Sequence, residues 1–318
     1  MDQLNNADSR APADSCRMND SEPLVSVSGE SVFQEVKKQL DTLRLTFTMS
    51  AEDKEILDQP HLASKHRVLR LENRLPSDIK NELFRIANSS CYSKGCTQKA
   101  SDFWQVSQAL GLENMKAYIF SSALFSMAGT HRDILDLKHK ALATAGLSLA
   151  IMHNILGFDL KAAPMVQLCA LVSEFGKVPF FIYRQKHSND PEIAEIMTEE
   201  FINIHHGKIG LMMIRKFDLP DFLEDLFEKK SLIFFDRAHQ FSITTIVRIA
   251  KLLVRDSFKH HGKLLLTSVV DDEYGAVWGS VGTEIQSFFD SMGIGHLIEV
   301  IPHETTAQQY RRMKNERA

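Results

Sequence analysis

Apolar residues recur every three or four positions through most of this chain, and alternation at period two is nowhere sustained, so the sequence predicts helices almost throughout. Val32, Val36, Leu40 and Leu43 share one helical face, and Ser31-x-x-Gln34 reads as the capping box that opens it. Ser50-x-x-Asp53 caps a second, short helix that ends where Gln59 meets Pro60, because proline disfavours helical backbone in the residue before it. A looser polar stretch follows to Pro76. Ser77 caps the next helix, with Ile79, Leu83, Ile86 and Ala87 on its apolar face, and Asn88-Ser89-Ser90 with Gly95 is expected to break it.

Met115, Ile119, Ala123 and Met127 line one further helix, and Ile134, Leu137, Leu142, Ala145 and Leu149 line another that ends at Gly157. Ala162 to Phe175 reads as a helix stopped by Gly176, and Asp190-Pro191 as a cap followed by proline in the first helical position. Patterns around Ile204 to Phe217, Pro220 to Lys230 and Ser242 to Phe258 come next, then Val281, Ile285, Phe288 and Phe289 before Gly293. Loop breaks fall near Gly129-Thr130 and Ser188-Asn189. The expected fold class is all-α, with roughly ten helices.

Composition narrows the function classes. With 318 residues, 44% of them apolar and 25% charged, the chain can bury a large core as one big domain or two modest ones. The net charge of −4 supplies no basic field for a phosphate backbone, so no nucleic-acid partner is expected. Met1 to Glu30 is rich in Asp, Asn, Ser and Pro and reads as a disordered tail, without the charged and apolar pattern of a secretory or transit leader. The most apolar window, roughly Ala117 to Ala128, falls short of the ~20 residues that span a bilayer, so no membrane segment is expected. Cys16, Cys91, Cys96 and Cys169 make no disulfide framework and suit a reducing, cytoplasmic setting. Gln308 to Ala318 is a polar, basic end.

Common catalytic signatures are absent from the sequence. It has no phosphate-cradling Gly-x-x-x-x-Gly-Lys motif, no Gly-x-Ser-x-Gly elbow and no His-Glu-x-x-His helix, and Gly275, Gly279 and Gly282 have the wrong spacing for a dinucleotide site. Cys91 and Cys96 are too far apart for a zinc knuckle and lack a second pair. His205-His206 would point about 100° apart on a helix, which favours one inward and one solvated imidazole over two ligands of one ion. His260-His261, beside Lys259 and Lys263, suits a helix C-terminus.

Motifs on separate helices carry more information when taken in order. Arg85-Ile86-Ala87-Asn88-Ser89 comes first, followed by Gln108-Ala109-Leu110-Gly111-Leu112 and by Lys138-His139-Lys140 running on to Thr144. Ala170-Leu171-Val172-Ser173-Glu174-Phe175-Gly176-Lys177, His206-Gly207-Lys208-Ile209-Gly210 and Leu219-Pro220 complete the series. In this order the chain resembles the HDOD family, the HD-related output domain of bacterial signalling proteins, over roughly Phe33 to Phe258. The specific part is Arg85, Ala87, Asn88 and Ser89; the opening from Val32 to Leu75 departs from the family pattern. The resemblance implies a multi-helix HD-like bundle with an N-terminal helical lobe. The corresponding layout is a tail over 1–30, an HDOD-like domain over 31–260 (lobes 31–130 and 131–260) and an extension over 261–318.

In catalytic relatives with an intact HD core, a histidine, a His-Asp pair and a later aspartate hold a divalent metal that activates water. The resemblance places His139 at the first histidine, Ser173-Glu174 at the His-Asp pair, Lys251 at the later aspartate and His206 at a further histidine. Serine is a poor ligand, two histidines fall short of the usual three protein ligands, and an inward Lys251 would repel a cation by about 4 kcal/mol at 4 Å and a dielectric of ~20. A Lys251–Glu174 ion pair could fill the vacated space instead. The expectation is a vestigial pocket without catalytic residues, metal or cofactor, in a regulatory protein that contacts other signalling proteins. Two other readings stand beside it: a divergent phosphohydrolase using His139, Glu174 and His206, and a nucleotide sensor using the emptied pocket.

Overall fold

The computed structural model describes residues 28–43, 49–90, 99–127, 131–155, 162–227, 242–268 and 275–302. Its helices are α1 (Gly29–Thr42), α2 (Ala51–Asp58), α3 (Lys65–Arg74), α4 (Ser77–Ser90), α5 (Phe103–Leu110), α6 (Leu112–Ser126) and α7 (Arg132–Ala150), then α8 (Ala163–Val172), α9 (Val178–Lys186), α10 (Pro191–Ile196), α11 (Glu199–Lys216), α12 (Ile243–His261) and α13 (Gly275–Ser291). The fold is all-α in class, with one small addition. β1 (Leu264–Ser268) and β2 (Ile298–Pro302) pair in parallel on either side of α13. A parallel pair needs a crossover connection, and α13 supplies it.

Several boundaries differ from the sequence expectation for identifiable reasons. The cap of α1 is Ser28, whose hydroxyl accepts from the Ser31 N–H, so Ser31 is the third residue of the helix and its box partner. The expected tail otherwise lies outside the described residues. The stretch before Pro76 is helical, because Val68, Leu71 and Leu75 bury one narrow face although charged residues dominate its composition. The α4 helix continues through Asn88 and Ser89 to Ser90. The segment after Pro220 is a 3-10 turn over Asp221–Leu226.

One continuous apolar core runs from α1 to the C-terminal βαβ unit. In the N-terminal part α4 packs on α5 and α6; further along, α7 lies against α8, α12 and α13. The α13 helix approaches α7 closely because residue 146 is glycine: a Cβ there would stand 2.7 Å from the Phe288 ring. His153 Nδ1, 2.6 Å from Glu284 Oε1, adds a polar contact on the same side. The described residues after α12 are therefore packed against the same core.

The segment from Ala163 to Lys186, outside the window singled out from the sequence, has the length and mean hydropathy, 1.4, of a membrane span. Of that window 78% is buried inside the protein, and Ser173-Glu174 break it into two helices. It forms the centre of the fold, where Phe175 meets Phe120 and Phe125 at ring-centroid distances of 5.4 and 5.8 Å. Those rings fix the turn that carries the candidate site.

Candidate functional site

The α8 helix stops at a turn, and the turn builds the site. Ser173 Oγ donates to the Ala170 carbonyl at 2.8 Å, Lys177 N–H donates to the Glu174 carbonyl at 3.0 Å, and Phe175–Lys177 forms a 3-10 turn leading directly into α9. Gly176 does not end a helix, as its type had suggested. It lets the turn touch α11 backbone: a Cβ there would stand 1.9 Å from the His206 carbonyl oxygen. No other residue type fits that approach.

Glu174 is 5% exposed, and its carboxylate lies between two ammonium groups. Lys251 Nζ, from α12, is 2.6 Å from Oε1, and Lys177 Nζ is 2.8 Å from Oε2. Lys251 also donates to the Ser173 carbonyl at 3.1 Å, so one side chain ties α12 to both residues of the turn. Burial pushes the Glu174 carboxyl upward, and Lys251 followed by Lys177 overrides it, leaving a pKa lowered to about 2. The carboxylate is ionised at neutral pH.

His206 belongs to the same electrostatic group. Burial, then the charge of Lys251, lowers its pKa to about 4 against the opposing pull of Glu174, so the ring is neutral at pH 7. Its Nδ1 is 2.9 Å from the Asn203 carbonyl, an acceptor, which puts the ring proton on Nδ1. The neighbouring His205 is not solvated as expected: it packs between Phe33 and Phe201, at centroid distances of 4.9 and 4.5 Å. The two imidazoles do serve different surroundings.

His139 has other neighbours. Its ring stands edge-on to that of His296, at 6.4 Å, in the turn before β2. Burial lowers its pKa, with opposing help from Asp136 and smaller contributions from His296 and Lys138. Among the described residues it makes no hydrogen bond or ion pair with Glu174, His206 or Lys251. The five sequence candidates thus divide into a four-residue cluster and an isolated histidine. Lys177 joins the cluster, and His296 faces the isolate; spacing from Glu174 was a signal for the first, and nothing local signalled the second.

These residues do not fit a divalent metal. Both Glu174 oxygens face ammonium groups, the Ser173 hydroxyl is turned back onto its own helix, and Lys251 places a positive charge where a cation would need to sit. Among the described residues, no three His, Cys, Asp or Glu side chains converge closely enough to share an ion.

The Arg85-to-Ser89 motif is a second, separate cluster. Ala87 is fully buried, and Asn88 pairs with the backbone of Ala100, accepting its N–H at 2.7 Å and donating to its carbonyl at 3.4 Å. Ser89 Oγ donates to the Ile86 carbonyl at 2.7 Å and accepts from Gln167 Nε2 at 2.9 Å, joining α4 to α8. Arg85 points outward and makes no ion pair among the described residues. The motif holds the N-terminal helices to the HD-like helices.

A helical HD-like body with a lysine-filled pocket defines the class, and sequence comparison supplies the family. The HDOD domain model matches residues 67–231, just over half of the chain, and the chain belongs to the HDOD family. A protein from Shewanella amazonensis SB2B, described as "Putative metal-dependent phosphohydrolase", has a similar structure, with a TM-score of 0.54 and 18% identity over 82% of this chain and 99% of that one. At that identity the likeness concerns the fold. An HDOD domain protein of unknown function from Geobacter sulfurreducens aligns over 84% of this chain and 96% of its own, at 17% identity and a TM-score of 0.44. Comparison with curated proteins finds no match.

Proposed function

We propose that this HDOD protein is a non-catalytic regulatory protein of a bacterial cytoplasm, acting through contacts with other signalling proteins. The observation that carries the reading is the Lys251–Glu174–Lys177 group. It satisfies with internal cations the carboxylate that a metal-dependent relative would offer to its metal, and it keeps α12, the turn and α9 in one arrangement. What is left for function is surface. The layout is a tail over 1–30, a two-lobed domain over 31–260 and an extension over 261–318, whose described residues pack on the same core.

The phosphohydrolase reading needs His139, Glu174 and His206 around one ion, and His139 faces His296 instead. The sensor reading needs an emptied HD pocket, and the lysine side chains occupy that space. Metal analysis of the purified full chain, combined with a phosphatase and phosphodiesterase assay, tests the proposal. The expected result is less than one divalent ion per chain and no hydrolysis above background. One tightly held ion per chain that disappears in His139→Ala, with hydrolysis lost in parallel, would overturn it.

A further inference from the structure

A cleft at the start of α7 has the chemistry of an anion site. Its volume is about 480 Å³, within the range of small-ligand pockets, and it opens between the first turn of α7 and the end of α9. Arg132, Arg184, His131 and His187 line it, with Asp133 as the only acid. That acid is already neutralised: Arg184 Nη2 lies 2.7 Å from Asp133 Oδ2. Arg184 Cζ also lies over the Phe181 ring, 5.1 Å from its centroid, and its Nε and Nη1 have no partner among the described residues. Arg132 is exposed and makes no ion pair among them.

The backbone adds donors to these cations. The cap residue of α7, His131, makes no side-chain capping bond, and the N–H groups of Arg132, Asp133 and Ile134 donate to no acceptor among the described residues. These three groups lie at the positive end of a 19-residue helix.

We propose that this cleft binds a small phosphate-bearing ligand, a phosphomonoester or nucleotide. A guanidinium fork, a second free guanidinium and helix N–H groups with no acceptor among the described residues together match the several oxygens of a phosphate, and two arginines exclude a metal cation. The volume admits a nucleoside attached to that phosphate. The cleft shares no residue with the Glu174 group, so it gives a regulatory protein a place to receive a small-molecule signal without using the HD pocket.

Inorganic phosphate and AMP, titrated into the full chain at constant ionic strength and followed by calorimetry and by the His131 and His187 ring resonances, test this. Both are expected to bind, AMP the more tightly. Arg132→Glu should weaken AMP by at least about tenfold, and Arg184→Gln by a similar factor. The Arg132 variant removes no internal contact, so its folding is not in question. No binding of either probe up to about 10 mM, or unchanged binding in Arg132→Glu, overturns the proposal. So does binding of an acidic peptide when neither probe binds. Such failure would leave the regulatory reading, which rests on Glu174, untouched.

Discussion

Replacing Lys251 by methionine removes one of the two charges that hold the buried Glu174 carboxylate. The folded-state pKa of Glu174 is about 2, against an ordinary 4.5, and 1.36 kcal/mol per unit makes the ion group worth about 3 kcal/mol at neutral pH. Lys177 remains at 2.8 Å and Lys251 is partly exposed, so Lys251→Met should forfeit about 2 kcal/mol of that. Because a depressed pKa stabilises the fold in full only where the group is ionised in both states, the contribution is complete above about pH 4.5 and fades as pH falls towards 2. The difference between wild type and Lys251→Met should therefore shrink over that window. Urea unfolding of wild type, Lys251→Met, Glu174→Gln and the double variant, each at neutral pH and near pH 3, measures it. In the double variant part of the loss should be recovered, since no buried carboxylate is left short of a cation, while Lys177 still loses its partner. A coupling energy below about 0.5 kcal/mol at neutral pH, or a Lys251→Met loss that grows on acidification, refutes the reasoning.

Three further outcomes follow from the same packing. Gly176→Ala should destabilise by about 3 kcal/mol or abolish folding, whereas Gly282→Ala, within α13 with open space around it, should gain about 0.5–1 kcal/mol; urea midpoints of the two variants make the comparison. Cys169 is buried with its thiol pushed up to about 12 by burial, so iodoacetamide at pH 8 should label it only in denaturant, as read by peptide mass spectrometry. His206, with its pKa lowered to about 4, should show neutral-ring chemical shifts down to pH 5; because the unfolded chain takes up its proton first, His206→Gln should lessen the loss of stability between pH 6.5 and 4. A titration midpoint near 6.5 would show that His206 is not buried beside Lys251.

Much of the helical framework was legible one segment at a time. The caps at Ser50 and Asp190 and the closing glycine at 293 are local signals, because a helix end is satisfied by side chains a few residues away. The helix over Lys65–Arg74 was missed because three apolar residues among many charges carry little weight until a neighbouring surface covers them. The strand Leu264–Ser268 was missed because a short apolar run paired with a distant parallel strand has no period of its own.

The candidate site divides along the same line. Sequence alone showed Ser173, Glu174 and Lys251 where the resemblance places a His-Asp pair and a later aspartate, and the order of motifs pointed to the family. Only the tertiary structure decided that Lys251 and Lys177 converge on one carboxylate, that His139 leaves the group for His296, and that Gly176 permits backbone contact with α11. Residue type sets what a side chain can do, and short-range spacing sets the helix it rides on. Which groups then share a dry space depends on how α7, α8, α11 and α12 pack, and in the Lys251–Ser173 contact that packing joins residues 78 positions apart in the chain.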